Sequence, residues 1–212
     1  TLNGVLTVFG RVHSVVITLG MMSIYRAGII QITGGKWILN LGPGVTLFGQ
    51  SRIAGAPILL WVALAATIGM HFFLRHLPRG RRLFVFGGDA ESAGVLGIYP
   101  WSVVPVAFAL SGLMLALAGL LHAGRYGQVQ TNIGLGYELK VIAAAVIGGT
   151  HIMGGRGSAL GTFLGAMLIG LISNLLVLTH VSAFWESAIV GTLILMAVGA
   201  EAFMNRRENQ SI

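Results

Sequence analysis

Long apolar runs, separated by short polar or basic breaks, dominate this chain. A helix needs about 20 residues to cross the ~30 Å hydrocarbon core of a bilayer. Positions 53–74, 101–122 and 158–179 each supply such a run almost free of ionisable residues. The first ends at a basic cluster. The second follows Pro100, which suits a helix start because its missing N–H is not needed there. Positions 186–204 predict another span, closed by Arg206 and Arg207. The beginning is mixed: apolar to Phe9, a break over 11–14, then a span over 15–30 that carries Arg26. Positions 137–153 are apolar but short, so they fit either a short crossing or a re-entrant half-helix, which is tolerated only where protein buries it. Placing Arg206 and Arg207 on the cytoplasmic side favours the crossing. The expected fold is an all-α membrane protein, a single domain over 1–212 forming a polytopic bundle of about five to six transmembrane helices.

Basic residues flanking the spans orient them, because cytoplasmic loops are enriched in Lys and Arg. Arg75, Arg79, Arg81 and Arg82 make 75–100 a cytoplasmic loop, and the polar stretches before 53 and after 122 become external. Within the loop runs Gly87-Gly88-Asp89-Ala90-Glu91-Ser92-Ala93-Gly94-Val95-Leu96-Gly97-Ile98. This short, mildly amphipathic stretch looks suited to docking a soluble partner.

Composition agrees with membrane residence. The 212 residues are 55% hydrophobic and 9% charged, where a soluble domain carries about 25% charged residues. The net charge of +7 sits mainly at span ends, where topology and lipid headgroups account for it, so no nucleic-acid partner is expected. No cysteine is present, which excludes disulfides and thiolate metal sites. Glycines, 32 in number, are scattered through the apolar runs. Gly157, Gly161 and Gly165 repeat at the four-residue spacing that lets helix backbones approach closely in lipid. Gly112 and Ala116, with Gly119 beside them, form a second such patch.

No catalytic set assembles. The histidines His13, His71, His76, His122, His151 and His180 show no metal-binding pair with a nearby carboxylate, and they read as interfacial polar residues. The phosphate-loop pattern is missing. Gly154-Gly155-Arg156-Gly157-Ser158 reads as a tight membrane turn more readily than as an anion site. Ionisable residues inside spans are costly and often functional; here they are Arg26, Glu138, Lys140, Glu186 and Glu201. The three acidic residues and Lys140 lie near span ends, where side chains reach the interface. The chain therefore reads as a non-enzyme that binds no metal and no cofactor. An ion- or proton-coupled transporter or channel is the alternative, and it would depend on Glu138 or Glu201.

Three ordered motifs carry a resemblance. Val16-Ile17-Thr18-Leu19-Gly20 with Ser23-Ile24-Tyr25-Arg26-Ala27-Gly28, the 87–98 segment, and Gly134-Leu135-Gly136-Tyr137-Glu138-Leu139 through Gly154-Gly155-Arg156-Gly157 resemble permease subunits of bacterial sugar ABC importers of the ribose type. The short stretch Thr33-Gly34-Gly35-Lys36-Trp37-Ile38 resembles the autoinducer-2 branch of those importers. The resemblance implies a multi-pass inner-membrane subunit moving a monosaccharide or similar small molecule. It also implies a second permease subunit, two cytoplasmic ATPases that bind the ATP, and a periplasmic substrate-binding protein. In the family, the glycine-bounded cytoplasmic loop contacts the ATPase as a short coupling helix, and that role falls on Gly88, Glu91, Ala93, Gly97 and Ile98. The core reads Glu-Ser-Ala here rather than Glu-Ala-Ala. Such permeases carry further helices before the segment matching Asn3-Gly4, and the chain opens at Thr1 without a leader pattern. An N-terminally truncated permease is the expectation.

Overall fold

A computed structural model describes residues 2–10, 12–179 and scattered positions between 185 and 199. The chain divides into two compact units, Thr1–Ile133 and Gly134–Ile212, where hydropathy alone suggests one domain. The expected span over 186–204, with Glu186 and Glu201, lies largely outside the described residues, as do His180, Arg206 and Arg207.

The first unit contains helices α1 (Leu2–Gly10) and α2 (Ser14–Thr33), strand β1 (Ile38–Leu39), helix α3 (Pro43–Gln50), strands β2 (Arg52–Ile53) and β3 (Ala56–Pro57), helices α4 (Ile58–His76), α5 (Pro78–Gly88), α6 (Ala90–Val95) and α7 (Pro100–Tyr126), and strand β4 (Gln128–Val129). Helix α2 stops because Gly34 and Gly35 take positive φ values of 62° and 72°, and both amides turn back to the Ile30 carbonyl. Only glycine adopts that backbone without strain. Helix α4 begins later than the apolar run from position 53 suggests. Strands β2 and β3 pair antiparallel, Ile53 opposite Ala56, around Ala54 and Gly55, which both carry positive φ as a two-residue hairpin requires. The hairpin takes the first apolar residues, and the helix continues to His76. The indole N–H of Trp61 donates to the Ile53 carbonyl at 3.1 Å, tying the first turns of α4 to the hairpin.

Helix α7, 27 residues long and therefore about 40 Å, organises this unit, with α1, α3 and α5 packed on it. Small residues allow the approach. A Cβ on Gly4 would meet Pro105 Cα at 2.9 Å, and one on Gly49 would meet Gly124 Cα at 2.5 Å. Lipid tails are as apolar as leucine, so close backbone contact replaces hydrophobic burial as the source of helix association. The Gly112 and Gly119 patch does not pack in this way: no neighbour lies within 4 Å of a Cβ built at either.

The second unit contains α8 (Tyr137–Ile147) and α9 (Ala159–Leu178). At 11 residues α8 is roughly 16–17 Å long, too short by itself to cross the hydrocarbon core. The apolar pattern over 137–153 outruns the helix because Gly148 and Gly149 end it, Gly149 at φ 83°. The turn that follows is closed by the His151 amide donating to the Arg156 carbonyl at 3.0 Å. Ser158 then caps α9, its Oγ accepting from the Gly161 amide at 3.2 Å.

Helices α2, α4, α7 and α9 are long and apolar enough to cross a membrane. Among the described residues the buried apolar set consists of Ala93, Val103, Leu121, Ala143, Ala144 and Ile169, while most large apolar side chains face outward. That inversion of the soluble pattern fits surfaces turned toward lipid or further helices. The chain is an all-α, multi-pass membrane protein.

Candidate coupling site

The segment joining α4 to α7 is almost wholly helical. Arg75 lies in the last turn of α4, and Arg79, Arg81 and Arg82 lie on α5. Pro78 is the first residue of α5, where proline is favoured. The corner between the helices is tight, since a Cβ on Gly80 would overlap the Phe73 carbonyl oxygen and meet Leu74 Cα at 2.7 Å. All four arginines are exposed.

Helix α6 is only six residues long, far below the length at which an isolated helix holds in water. Its ends are closed by its own sequence. Asp89 is the N-cap: its Oδ1 accepts from the Glu91 amide at 2.9 Å, and its Oδ2 accepts from the Ser92 hydroxyl. The Ser92 hydroxyl first, then the Ser92 and Glu91 amides, hold the Asp89 carboxyl below the usual carboxylate range, because each bond favours the charged form. At the other end Gly97 takes φ 74°. Its amide donates to the Gly94 carbonyl at 3.0 Å, and the Ile98 amide donates to the Ala93 carbonyl at 2.9 Å. These two bonds form a Schellman cap. Gly97 is thus the C-terminal stop and Ile98 its closing donor.

Of the residues singled out from sequence, Ala93 is fully buried, Ile98 is half-buried, and Glu91 and Gly97 are exposed. Gly88 ends α5 one residue before the cap. The fold presents two further side chains that the glycine-bounded motif does not mark, Val95 and Leu96, at 87% and 70% exposure. Their signal in the sequence is positional: Asp89 and Gly97 are helix start and stop signals, so the last apolar residues before the stop fall at the tip. Beyond them Tyr99 and Trp101 stack, ring centroids 5.9 Å apart, at the start of α7. Aromatic pairs of this kind suit a membrane–water boundary.

The small-residue stripe lies in the second unit. Gly161 sits against the Gly148 carbonyl and Gly165 against the Ala144 carbonyl, with no room for a Cβ at either. Thr150 and Thr162 hydroxyls lie 3.3 Å apart beside this contact. Gly157 precedes α9 and belongs to the turn. The structure therefore brings Gly161 and Gly165 onto α8, while Gly157 lies before α9 in the preceding turn.

The model of the family described as "Branched-chain amino acid transport system / permease component" matches residues 1–198. The chain belongs to this permease family. Among curated relatives, an autoinducer 2 import system permease protein, LsrC, of Yersinia pseudotuberculosis is 34% identical over 91% of this chain and 55% of its own length. LsrC of Escherichia coli K12 is 35% identical over 92% of this chain and 57% of its own length. LsrC of Salmonella typhimurium is 35% identical over 91% of this chain and 56% of its own length. The chain spans little more than half the length of these relatives. No solved structure matches. Membership places the capped α6 within a chain of a permease family.

Proposed function

We propose that this permease chain is the pore-forming part of an ATP-driven importer that carries a monosaccharide or similar sugar-like molecule across the bacterial inner membrane. The observation that carries this reading is helix α6: six residues, capped at both ends by Asp89 and Gly97, with Val95 and Leu96 exposed at its tip. A helix so short holds its shape through caps, and a rigid apolar tip beside four exposed arginines suits docking on a soluble partner. The names of the relatives, import permeases for autoinducer 2, favour a small sugar-like cargo. In this reading Arg75, Arg79, Arg81 and Arg82 keep the α5–α6 element in the cytoplasm. Gly88, Glu91, Ala93, Gly97 and Ile98 shape the contact with the ATPase, and Val95 and Leu96 make it. Gly157, Gly161 and Gly165 serve helix packing. A second permease subunit, two cytoplasmic ATPases and a periplasmic binding protein complete the assembly. ATP is bound and hydrolysed on the ATPases, since this sequence has no phosphate loop.

The test is deletion of 88–98 in the membrane-inserted protein co-expressed with the ATPase of its own system. Insertion is expected to persist while the ATPase no longer co-purifies. Undiminished co-purification overturns the coupling role.

A further inference from the structure

Within the first unit lies a cavity of about 400 Å³ walled by α1, α2, α7 and the segment that leaves β4. Pairing of β1 with β4, Ile38 opposite Val129, ties the chain after α2 to the chain after α7. Gln130 and Thr131 thereby reach the rim of a space otherwise bounded by helices. Its polar wall is formed by Asn3, Thr18, Tyr25, Arg26, Gln130 and Thr131, and the remainder is apolar.

Arg26 is the informative residue. It lies within α2, one of the four helices long and apolar enough to cross a membrane, seven residues from the helix end and so about 10 Å along its axis. A guanidinium at such a position is costly and is retained where it faces protein or a polar cavity. Within the first unit no carboxylate among the described residues pairs with it: the acidic residues of that unit, Asp89 and Glu91, belong to the α5–α6 element. A second polar group is also unsatisfied: Asn3 Oδ1 is shut off from solvent and has no hydrogen-bond partner. Thr18 already donates its hydroxyl proton to the Ser14 and Val15 carbonyls at 3.0 Å each, so toward a ligand it offers an acceptor.

We propose that this cavity binds a small polyhydroxylated ligand, with Arg26 donating to a pair of neighbouring ligand oxygens. The inference rests on the importer reading for its transport consequence and on the cavity for its chemistry. The guanidinium presents N–H groups in a rigid planar fork that matches adjacent oxygens, a geometry lysine cannot reproduce. Asn3 and Gln130 offer both donors and acceptors, and Thr18 an acceptor, as a ligand with several hydroxyls requires. The volume falls in the lower part of the ~300–1,000 Å³ range of small-molecule sites, which are mostly apolar with a few placed polar groups.

The experiment uses the complete permease with its ATPases and binding protein in proteoliposomes, and the purified permease in detergent, with D-ribose and autoinducer 2 as probes. Variants are Arg26→Gln, Arg26→Lys and, away from the helices, Gln130→Ala. One probe is expected to raise the thermal midpoint of the wild-type permease. That rise is lost in Arg26→Gln, small in Arg26→Lys and reduced in Gln130→Ala. Uptake of the same probe is expected to fall at least tenfold in Arg26→Gln while the ATPases still co-purify. Ligand stabilisation that depends on Arg26 without ATP-driven uptake supports the cavity and overturns the importer reading alone. No stabilisation of the wild type by either probe overturns the proposal, as does equal stabilisation in Arg26→Gln. Should Arg26→Gln not fold, Gln130→Ala decides: undiminished stabilisation in it overturns the proposal.

Discussion

Gly148 and Gly161 meet backbone to backbone: a Cβ built on either would overlap the other's peptide group. Gly165 repeats the contact one turn along, against the Ala144 carbonyl. Together with buried Ala143, Ala144 and Ile169, this is how the short α8 is held, since an 11-residue helix gains little from its own hydrogen bonds. Backbone cannot retreat as a flexible side chain can, so any added side chain must separate the helices. Gly161→Val is expected to lower stability by about 1–3 kcal/mol, read as a lower thermal midpoint in detergent. Gly170, inside α9 with open space around it, provides the control: Gly170→Ala is expected to cause no loss and to raise stability by up to about 1 kcal/mol.

The Asp89 carboxylate gives α6 a pH dependence. Its folded-state value is depressed below 3.8, chiefly by the Ser92 hydroxyl. A depressed value means its contribution is present above the unfolded value and is lost as pH falls through the folded one. Hydrogen exchange at the Ala93 amide, which donates to the Asp89 carbonyl, is expected to be insensitive to titration of this group at neutral pH, once the intrinsic rate is removed. Protection should decline only below about pH 4. Asp89→Ala should lose protection at every pH. Asp89→Asn, which keeps a capping oxygen, should retain most of it and lose the acid dependence. An acid dependence surviving in Asp89→Asn counts against this assignment.

Gly97 closes the other end. At φ 74° a side chain brings Cβ against the following carbonyl, at a cost of roughly 1–2 kcal/mol. Gly97→Ala is expected to raise exchange at the Ile98 amide, whose bond to the Ala93 carbonyl depends on that turn. It is also expected to weaken recovery of the ATPase with the permease. Gly94→Ala, inside the helix with open space at its Cβ, should do neither. Equal losses in the two variants would mean that glycine content, rather than the Schellman turn, matters.

How far these features can be read from sequence depends on whether their cause is local. The runs that became α4, α7 and α9 are visible because hydrocarbon thickness imposes their length. The start of α4 is not, because Ile53 is as apolar as the helix that follows, and alanine at 54 is a weak turn signal. The end of α8 is hidden for the same reason, since Ile152 and Met153 continue an apolar pattern after Gly148 and Gly149 have stopped the helix. Both caps of α6 are local and legible in Asp89 and Gly97. Close approaches are not: Gly4, Gly49, Gly124 and Gly148 each meet partners far away or beyond a turn, and nothing in their spacing distinguishes them from Gly112 and Gly119, which meet none. The cavity around Arg26 is legible only as an isolated charge in a span. Its other walls come from α1, α7 and the segment after β4.

The arginines make a claim about topology that separates from docking. Arg75, Arg79, Arg81 and Arg82 lie within one corner of α4 and α5, close enough to the end of a span to bias its orientation, an effect that depends on Lys and Arg near the span end. Replacing all four with glutamine is expected to give mixed orientations. A reporter fused after Tyr99 that is active only outside the cytoplasm should gain activity, and one active only inside should lose it. Replacing Arg79 alone should change neither, because the remaining three still act on the same corner. Replacing Val95 and Leu96 with serine should leave the reporters unchanged yet diminish ATPase recovery, since these side chains carry no charge that topology reads. A reporter shift in that serine variant would place orientation, rather than contact, at the tip of α6.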